Sequence, residues 1–541
     1  MAGFVQAVAL DLDGTLTRHG VLSGEVLTAI DECRDTGVSL VVITGRIRGE
    51  LEKEFPELVE HVDALVYENG AVLQIAGQLR LCAPAVDPLL DARLSACGVE
   101  FRRGEVILAC HGSDAATITI EIARLGLDMQ VVHNRSEAMV LPAGVSKGTG
   151  LRAALEHLAV SPHNTVAIGD AENDLSMMDA AEIGVAIANA IDSVRRHADL
   201  LLDAEDGHGV AEFLRGPLIS GAQVVRPQRH NVRIGQTPDG IAVTVPGSQA
   251  SILLSGASGT GKSHLTGLLV ERWIEGGYTV LVIDPEGDHA ALSRLPATIV
   301  IDAVEPQSDD QLLQALRQHL GSVVLDLSHL DASQVRRYLD DVASGVETLR
   351  LLYGRPHWVV IDEAHGLLRE GGPISDTFRP YEGGYCYVTY QPESVCAAAL
   401  ASIDLTLTPL IRDPSAAAGP ARALYRPSGG SEITFEVDAR ITPHVRHRHK
   451  YADTPLPIRH RFAFRDQNGR VICSASTLQD FEQLLRFVPA ETVQHHALNG
   501  DFSRWTFNVL EDLEFGALLL GAETNSLPAT PTTSTTFANA Y

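Results

Sequence analysis

The chain has 541 residues, too many for one hydrophobic core, so several domains are the default reading. Hydrophobic residues make up 45% and charged residues 21%, a balance that excludes a disordered chain. A formal net charge of -27 keeps the surface soluble and counts against a protein that simply coats nucleic acid, while leaving room for a local basic channel.

The opening MAGFVQAVALDLDGT passes directly into a strand pattern without a signal-peptide layout, and no apolar run approaches the ~18 residues a bilayer span needs. Seven cysteines lie scattered with no CxxC pair, as expected of reduced thiols. Together these features predict a cytoplasmic protein with no membrane partner.

The first stretch alternates β-branched runs with helix-like segments: VALDL, LSGEVLTAIDECRDTG, VSLVVITG and the run ending at LVYENG. This rhythm predicts an α/β domain over 1–215 with a parallel sheet, whose ligand chemistry belongs at the carboxyl ends of the strands. Residues 81–144 interrupt the rhythm and read as an inserted α/β cap, after which KGTGLRAALEHL and TVAIGDAENDL resume it. Residues 216–247 read as a linker and a hairpin turning at Pro238-Asp239-Gly240. A second parallel α/β block spans 248–426, a smaller α+β region spans 427–525, and the Thr/Pro/Ala-rich tail 526–541 is expected to be disordered. In the last helical segment Asp501 reads as an N-cap, and Phe502, Trp505, Val509 and Leu513 as an apolar packing stripe.

The first block carries polar residues at four expected strand ends. Asp11 and Asp13 in DLDGT are two residues apart, so both point the same way off an extended backbone. One carboxylate can attack phosphorus while the other protonates the leaving oxygen and then activates water. Gly14 permits a sharp turn close to a phosphate. Thr44 and Gly45, ending VVITGR, offer a hydroxyl and backbone amides to phosphoryl oxygens. Lys147 offsets negative charge, and Asp170, Asn173 and Asp174 form a carboxylate-rich turn suited to Mg²⁺.

These motifs, with YENG, VSKG and GDAENDLSMM, resemble the haloacid dehalogenase (HAD) superfamily in its Cof-type sugar-phosphatase branch over roughly residues 4–215. The resemblance implies a Rossmann-like sheet, Asp11 as nucleophile and Asp13 as acid/base. It implies Thr44, Gly45, Lys147 and Asn173 as phosphate ligands, and Asp11, Asp13 (through its carbonyl), Asp170 and Asp174 around magnesium. The expected substrate is a small phosphorylated metabolite, sugar-phosphate-like and chosen by the cap.

In the second block Gly256, Ala257, Ser258, Gly259, Thr260, Gly261, Lys262 and Ser263 match the P-loop pattern in full, between a strand and an apolar helix. Its amides wrap ATP phosphates, Lys262 reaches the β/γ oxygens, and Ser263 holds Mg²⁺. HWVVIDEAH adds Asp362 for the metal and Glu363 to polarise an attacking water, which argues for hydrolysis over binding alone.

With DPEGDH and FRPYEGGYCYVTYQPESV, residues 230–425 resemble the HerA/FtsK-type ring ATPases. That resemblance implies a homo-oligomer, a hexamer with nucleotide between subunits, and Arg379 as a trans-acting arginine finger. One departure stands out. Where the family's last strand ends in a serine/threonine-glutamine pair, this chain has Thr389 and Tyr390, with Gln391 one place on. Either Gln391 takes the sensor role or the coupling of hydrolysis to motion is altered.

The segment around Arg446, with His447 and His449, concentrates basic groups. A solvated strand pairing with acids elsewhere is the favoured reading, against anion binding and against a metal held by His447 and His449, and nucleic acid is left open as a partner. The leading expectation is a bifunctional Mg²⁺-dependent phosphomonoesterase and ATPase. Its rivals are a nucleic-acid translocase carrying an end-processing phosphatase and a nucleotide-gated scaffold.

Overall fold

The computed structural model describes residues 4–134, 137–257, 260–304, 308–318, 321–370, 383–410, 421–443, 456, 458–510 and 513–525. The chain divides into two units, Met1–His230 with Thr348–Arg355, and Asn231–Glu347 with Pro356–Tyr541.

In the first unit, AVALD is buried at every position, as a strand covered on both faces must be. It becomes the strand Ala7–Asp11 at the middle of an eight-stranded sheet. Thr165–Gly169, Ile183–Ala186 and Leu200–Leu201 lie to one side, and Ser39–Ile43, Ala64–Tyr67, Val72–Ile75 and Gln78–Leu81 to the other. The strands through Ala64–Tyr67 run parallel and the last two turn back antiparallel. Asp11 stands opposite Ile43, so the strand ends DLDG and ITGR are level.

A separate four-stranded antiparallel sheet takes Phe101–Arg103, Leu108–His111, Met129–Asn134 and Glu137–Pro142. With the helices Pro88–Ala96 and Ala115–Leu125 it buries its own core of Leu90, Leu94, Leu108, Ile118 and Val140. A layer that buries its own apolar face can be inserted between two strands of another sheet without opening that sheet's core.

The second unit is organised by an eleven-stranded sheet. Seven strands run parallel in the order Leu405–Pro409, Ser251–Ser255, Tyr385–Thr389, Trp358–Ile361, Val280–Asp284, Ser322–Asp326 and Thr298–Asp302. Arg422–Pro427, Ile433–Val437, Val232–Gln236 and Ala242–Val245 extend it antiparallel. The hairpin that reads in sequence as a connector is therefore the sheet's edge, and Ile433–Val437, which reads as the start of a later region, pairs with it. Pairing satisfies backbone groups that a free strand would leave open. Beneath the sheet Trp273 and Trp358 stack with centroids 3.8 Å apart, and their indole N–H groups donate to the Pro246 and Gly247 carbonyls.

Beyond residue 456, the hairpin Phe462–Arg465/Val471–Ala475 and the helices Leu478–Phe487, Ala490–Leu498, Asp501–Trp505 and Leu513–Asn525 enclose an aromatic cluster of Phe462, Phe464, Phe481, Phe502 and Trp505. Phe502 and Trp505 thus serve packing. Gly500, at φ 63°, takes the N-cap position assigned to Asp501, because that left-handed backbone suits a residue without Cβ. Asp501 instead opens the helix and pairs with His496 Nδ1 at 2.8 Å. Among the described residues no helix is long and apolar enough to cross a membrane.

Candidate functional site

In the first unit the strand ends bring charge together under cover. Asp11 is 4% exposed, Lys147 1% and Asp174 0%. Ser146 caps the helix Lys147–Leu158 in a capping box with Thr149, which aims the first helical side chain, Lys147, at the sheet. Its Nζ donates to Asp11 Oδ1 and, at 2.5 Å, to Asp174 Oδ1. The other Asp174 oxygen accepts the Asp170 and Ala171 amides at 2.9 Å each, tying the GDAEND turn. A Cβ at Gly169 would lie 2.5 Å from the Asp174 side chain, so only glycine leaves that turn room.

Asp11, Asp170 and Asp174 present carboxylate oxygens within 4.8 Å of one another. Burial pushes the Asp11 carboxyl well above its ordinary value, and Asp174 and Asp170 add to the rise while Lys147 opposes it. Burial disfavours the Lys147 ammonium, but the Asp11 and Asp174 carboxylates outweigh it and hold its pKa above the usual lysine value. Excess buried negative charge among hard oxygens is what a divalent cation of the Mg²⁺ kind would relieve. Thr15 Oγ1 donates to Asp170 Oδ1 at 3.2 Å and fixes that carboxylate.

Thr44 is fully buried at the end of its strand, its Oγ1 accepting the Arg46 amide at 3.1 Å. Asn173 donates to Asn69 Oδ1 at 3.2 Å, which joins the GDAEND turn to YENG. Asp13 stands apart from the buried cluster, a third exposed, with both oxygens held by Arg46. A cavity of about 720 Å³ opens beside it, lined by Arg46, Lys53 and Glu50 from the core and Arg102, Glu137 and Met139 from the inserted layer.

Two residues here escaped sequence reasoning. Arg46 follows Thr44 and Gly45 in TGR, but only folding brings it to Asp13. Glu68 lies in YENG, fully buried, and accepts the amides of Glu105 at 2.8 Å, Val106 at 2.8 Å and Ile107 at 3.1 Å. It fastens the inserted layer to the sheet. Positive φ at Glu68, Asn69 and Gly70 in succession was a signal only at the glycine, where a Cβ would meet the Ser146 carbonyl at 1.9 Å.

In the second unit the P-loop leaves the strand Ser251–Ser255 and enters the helix Lys262–Glu275. Gly261 is left-handed at φ 99°, and Gly256, Ala257 and Thr260 complete the described part of the loop. Lys262 Nζ donates to the Ala257 carbonyl at 3.2 Å, and Ser263 Oγ to Asp288 at 3.4 Å. Ser258, Gly259, Arg379, Arg446, His447 and His449 lie outside the described residues.

Asp362 ends the strand Trp358–Ile361 and meets His289 Nε2 at 2.9 Å. The DPEGDH loop is wound on Asp284, whose carboxylate accepts the amides of Gly287 and His289 at 2.8 Å. Burial pushes the Asp284 carboxyl up to about 7. Burial opposes the His289 imidazolium, but Asp284 and Asp362 outweigh it and raise His289 to about 9. Glu363 has a left-handed backbone, φ 48° and ψ 43°, and its Oε2 lies 3.2 Å from His365 Nδ1. DPEGDH and DEAH thus follow the adjacent strands Val280–Asp284 and Trp358–Ile361, with Tyr385–Thr389 between these and the P-loop strand, and His289 and His365 are site residues the sequence reading did not single out.

Comparison with known proteins divides the chain in the same way. The haloacid dehalogenase-like hydrolase model matches residues 8–83 and 123–214, and the model of the helicase HerA central domain matches 246–352. A phosphoglycolate phosphatase of Methanothermobacter thermautotrophicus is 30% identical over 224 residues, 39% of this chain and 98% of that protein. One from Methanopyrus kandleri is 31% identical over 38% of this chain and 95% of its own length. A solved haloacid dehalogenase-like hydrolase from Bacteroides thetaiotaomicron is 21% identical over 39% of this chain and 98% of its own, with a TM-score of 0.35. With almost the whole length of such relatives matched at 30% identity or above, the chain belongs to the haloacid dehalogenase-like hydrolases, as a phosphoester hydrolase joined to a HerA-type P-loop ATPase.

Proposed function

We propose that the first unit hydrolyses a small phosphorylated carboxylic acid of the 2-phosphoglycolate kind, with Mg²⁺, and that the second unit binds and hydrolyses ATP. The observation that carries the phosphatase half is the buried cluster of Asp11, Lys147, Asp170 and Asp174 at neighbouring strand ends. In this reading Asp11 attacks phosphorus in line, forming an aspartyl-phosphate, while the Thr44 hydroxyl, the Gly45 amide, Asn173 and Lys147 bind the phosphoryl oxygens. Asp13 gives the leaving oxygen its proton, then takes one from the water that releases phosphate. Asp11, the Asp13 carbonyl and Asp170 would hold Mg²⁺, which neutralises charge on the phosphoryl group. Asp174, with both oxygens already accepting N–H groups, acts from the second layer.

The names of the relatives favour phosphoglycolate over the sugar phosphate that the sequence resemblance implies. In the cavity Arg46 is already paired with Asp13 and Glu54, and Arg102 with Glu50 and Glu137, so Lys53 is the cation on offer to a substrate carboxylate. In the second unit Lys262 binds the ATP phosphates, Ser263 and Asp362 the metal, and Glu363 orients water. Assembly into a hexameric homo-oligomer belongs to this proposal.

The test is phosphate release from 2-phosphoglycolate, sugar phosphates and ATP with Mg²⁺, comparing the parent with Asp11→Asn and Lys262→Ala. Loss of phosphoglycolate turnover in Asp11→Asn alone and of ATP turnover in Lys262→Ala alone is expected. Phosphoglycolate turnover that survives Asp11→Asn would refute the assigned nucleophile.

A further inference from the structure

We infer that Tyr390 is a positioning residue for ATP hydrolysis, linking the state of the P-loop lysine to the histidine beside Glu363. The inference rests on the ATPase reading above. Thr389 stands opposite Ser255 in the paired parallel strands, so the chain leaves the sheet at Tyr390 level with the start of the P-loop at Gly256. There the Tyr390 ring has two neighbours. The Lys262 ammonium lies 5.9 Å from its centroid, within cation–π reach. The His365 ring lies 4.3 Å away at an interplanar angle of 67°, edge to face.

His365 is in turn held from the other side. Its Nδ1 is 3.2 Å from Glu363 Oε2 and 3.3 Å from Thr389 Oγ1. Glu363 itself is held in a left-handed turn, its amide donating to Asp362 Oδ1 at 2.8 Å, which aims its side chain at His365. Lys262, Tyr390, His365 and Glu363 therefore form one chain of contacts from the phosphate-binding cation to the group proposed to orient water.

Gln391, the other candidate for the sensor role, enters this arrangement only through its backbone, whose amide donates to Thr389 Oγ1 at 3.0 Å. Among the described residues its side chain makes no hydrogen bond to the site. When ATP phosphates take Lys262, the ammonium leaves the Ala257 carbonyl and the Tyr390 face together. The ring is then free to shift against His365, and Glu363 is re-aimed as nucleotide arrives. The phenol hydroxyl is not part of this chain, so the ring alone should carry the effect.

The experiment uses the full chain. Tyr390→Ala is expected to lower kcat for ATP about tenfold or more while Kd for ATP stays within about threefold, and Tyr390→Phe to restore most of the turnover. Tyr390 is 45% exposed, so neither change threatens the fold. A Tyr390→Ala protein with kcat within twofold of the parent would overturn the proposal, as would a Phe variant as slow as Ala. A second arm reads the contact without turnover: the emission of a Tyr390→Trp protein should change on adding ATPγS, and should stay unchanged with Lys262→Ala added at ATPγS concentrations that a direct binding measurement shows to saturate that variant. An equal response with and without Lys262, or none in either, also overturns it. A parent that hydrolyses no ATP refutes the ATPase reading and the inference with it, whereas an active parent with an unaffected Tyr390→Ala protein refutes the inference alone.

Discussion

Arg46 grips Asp13 with two near-parallel hydrogen bonds, Nε to Oδ2 at 2.8 Å and Nη2 to Oδ1 at 2.7 Å, while its remaining nitrogen reaches Glu54. Such a fork fixes a carboxylate in plane as well as in position. The Asp13 hydrogen bond, more than burial, governs the guanidinium, holding its pKa above the ordinary arginine value. If the fork aligns Asp13 for proton delivery, its loss should hurt substrates with poor leaving groups most. Arg46→Met is expected to lower kcat about 10²-fold for an alkyl phosphate, the scale of a general-acid contribution. It should change kcat for p-nitrophenyl phosphate, whose leaving group needs no proton, by less than about threefold. Equal losses on both substrates would show that Arg46 serves phosphate binding instead.

Glu68 offers a separate handle on the inserted layer. Its carboxylate accepts three successive amides from residues 105–107, and a Cβ at Gly104 would sit 2.4 Å from that carboxylate. Hydrogen bonds to a charged group are worth roughly 1.5–3 kcal/mol each, so this one contact is strong enough to set where the layer rests. Glu68→Ala and Gly104→Ala should both raise KM for the cavity's substrate about tenfold, leaving the Asp11 cluster intact. Steady-state kinetics on phosphoglycolate checks this, and unchanged KM in both variants would assign Glu68 to folding alone.

These two residues also mark where sequence reading ends. Asp11, Lys147, Asp170 and Asp174 were legible because each sits at a strand end or helix start, and strand and helix periods are local properties. The P-loop was legible for the same reason, being a strand, a glycine-rich turn and a helix in immediate succession. Arg46 meets Asp13 across 33 positions, and Glu68 meets its amides across 37 to 39. No local pattern announces such pairs. The hairpin Val232–Gln236/Ala242–Val245 was legible as a hairpin, but its partner strand Ile433–Val437 pairs with it across about two hundred positions, so its place at a sheet edge was not.

Within the second unit, Glu271 is fully buried on the P-loop helix and accepts from Arg440 Nε at 3.2 Å, the Ile441 and Thr442 amides at 2.8 and 2.9 Å, and the Thr442 hydroxyl at 2.5 Å. Burial works against the carboxylate, yet these bonds outweigh it and hold its pKa below the ordinary glutamate value. A depressed carboxylate stabilises the fold above its unfolded pKa of about 4.3, and that contribution is lost as pH falls through the lower folded value. Glu271→Gln leaves Arg440 buried without its counter-charge and should cost about 3 kcal/mol at pH 7. The variant should also lose less stability than the parent between pH 5 and pH 3. Urea unfolding at these pH values checks both, and a variant as acid-sensitive as the parent would remove Glu271 from the account.

Glu363 sets function against stability most directly. Its φ of 48° places an L-residue where the Cβ crowds the backbone, at a cost of roughly 1–2 kcal/mol that glycine would not bear. Glu363→Gly should therefore raise the urea midpoint, by about 1 kcal/mol in unfolding free energy, the remainder going to the unfolded chain's added freedom. The same change removes the carboxylate proposed to orient water and should abolish ATP turnover while nucleotide binding persists. Glu363→Gln separates the two effects, since it keeps the strained backbone and loses only the charge, so its turnover should fall at least 10²-fold at unchanged stability. A glycine variant that is both less stable and still active would mean that the left-handed turn is there for packing, and that the hydrolytic group is another residue near Asp362.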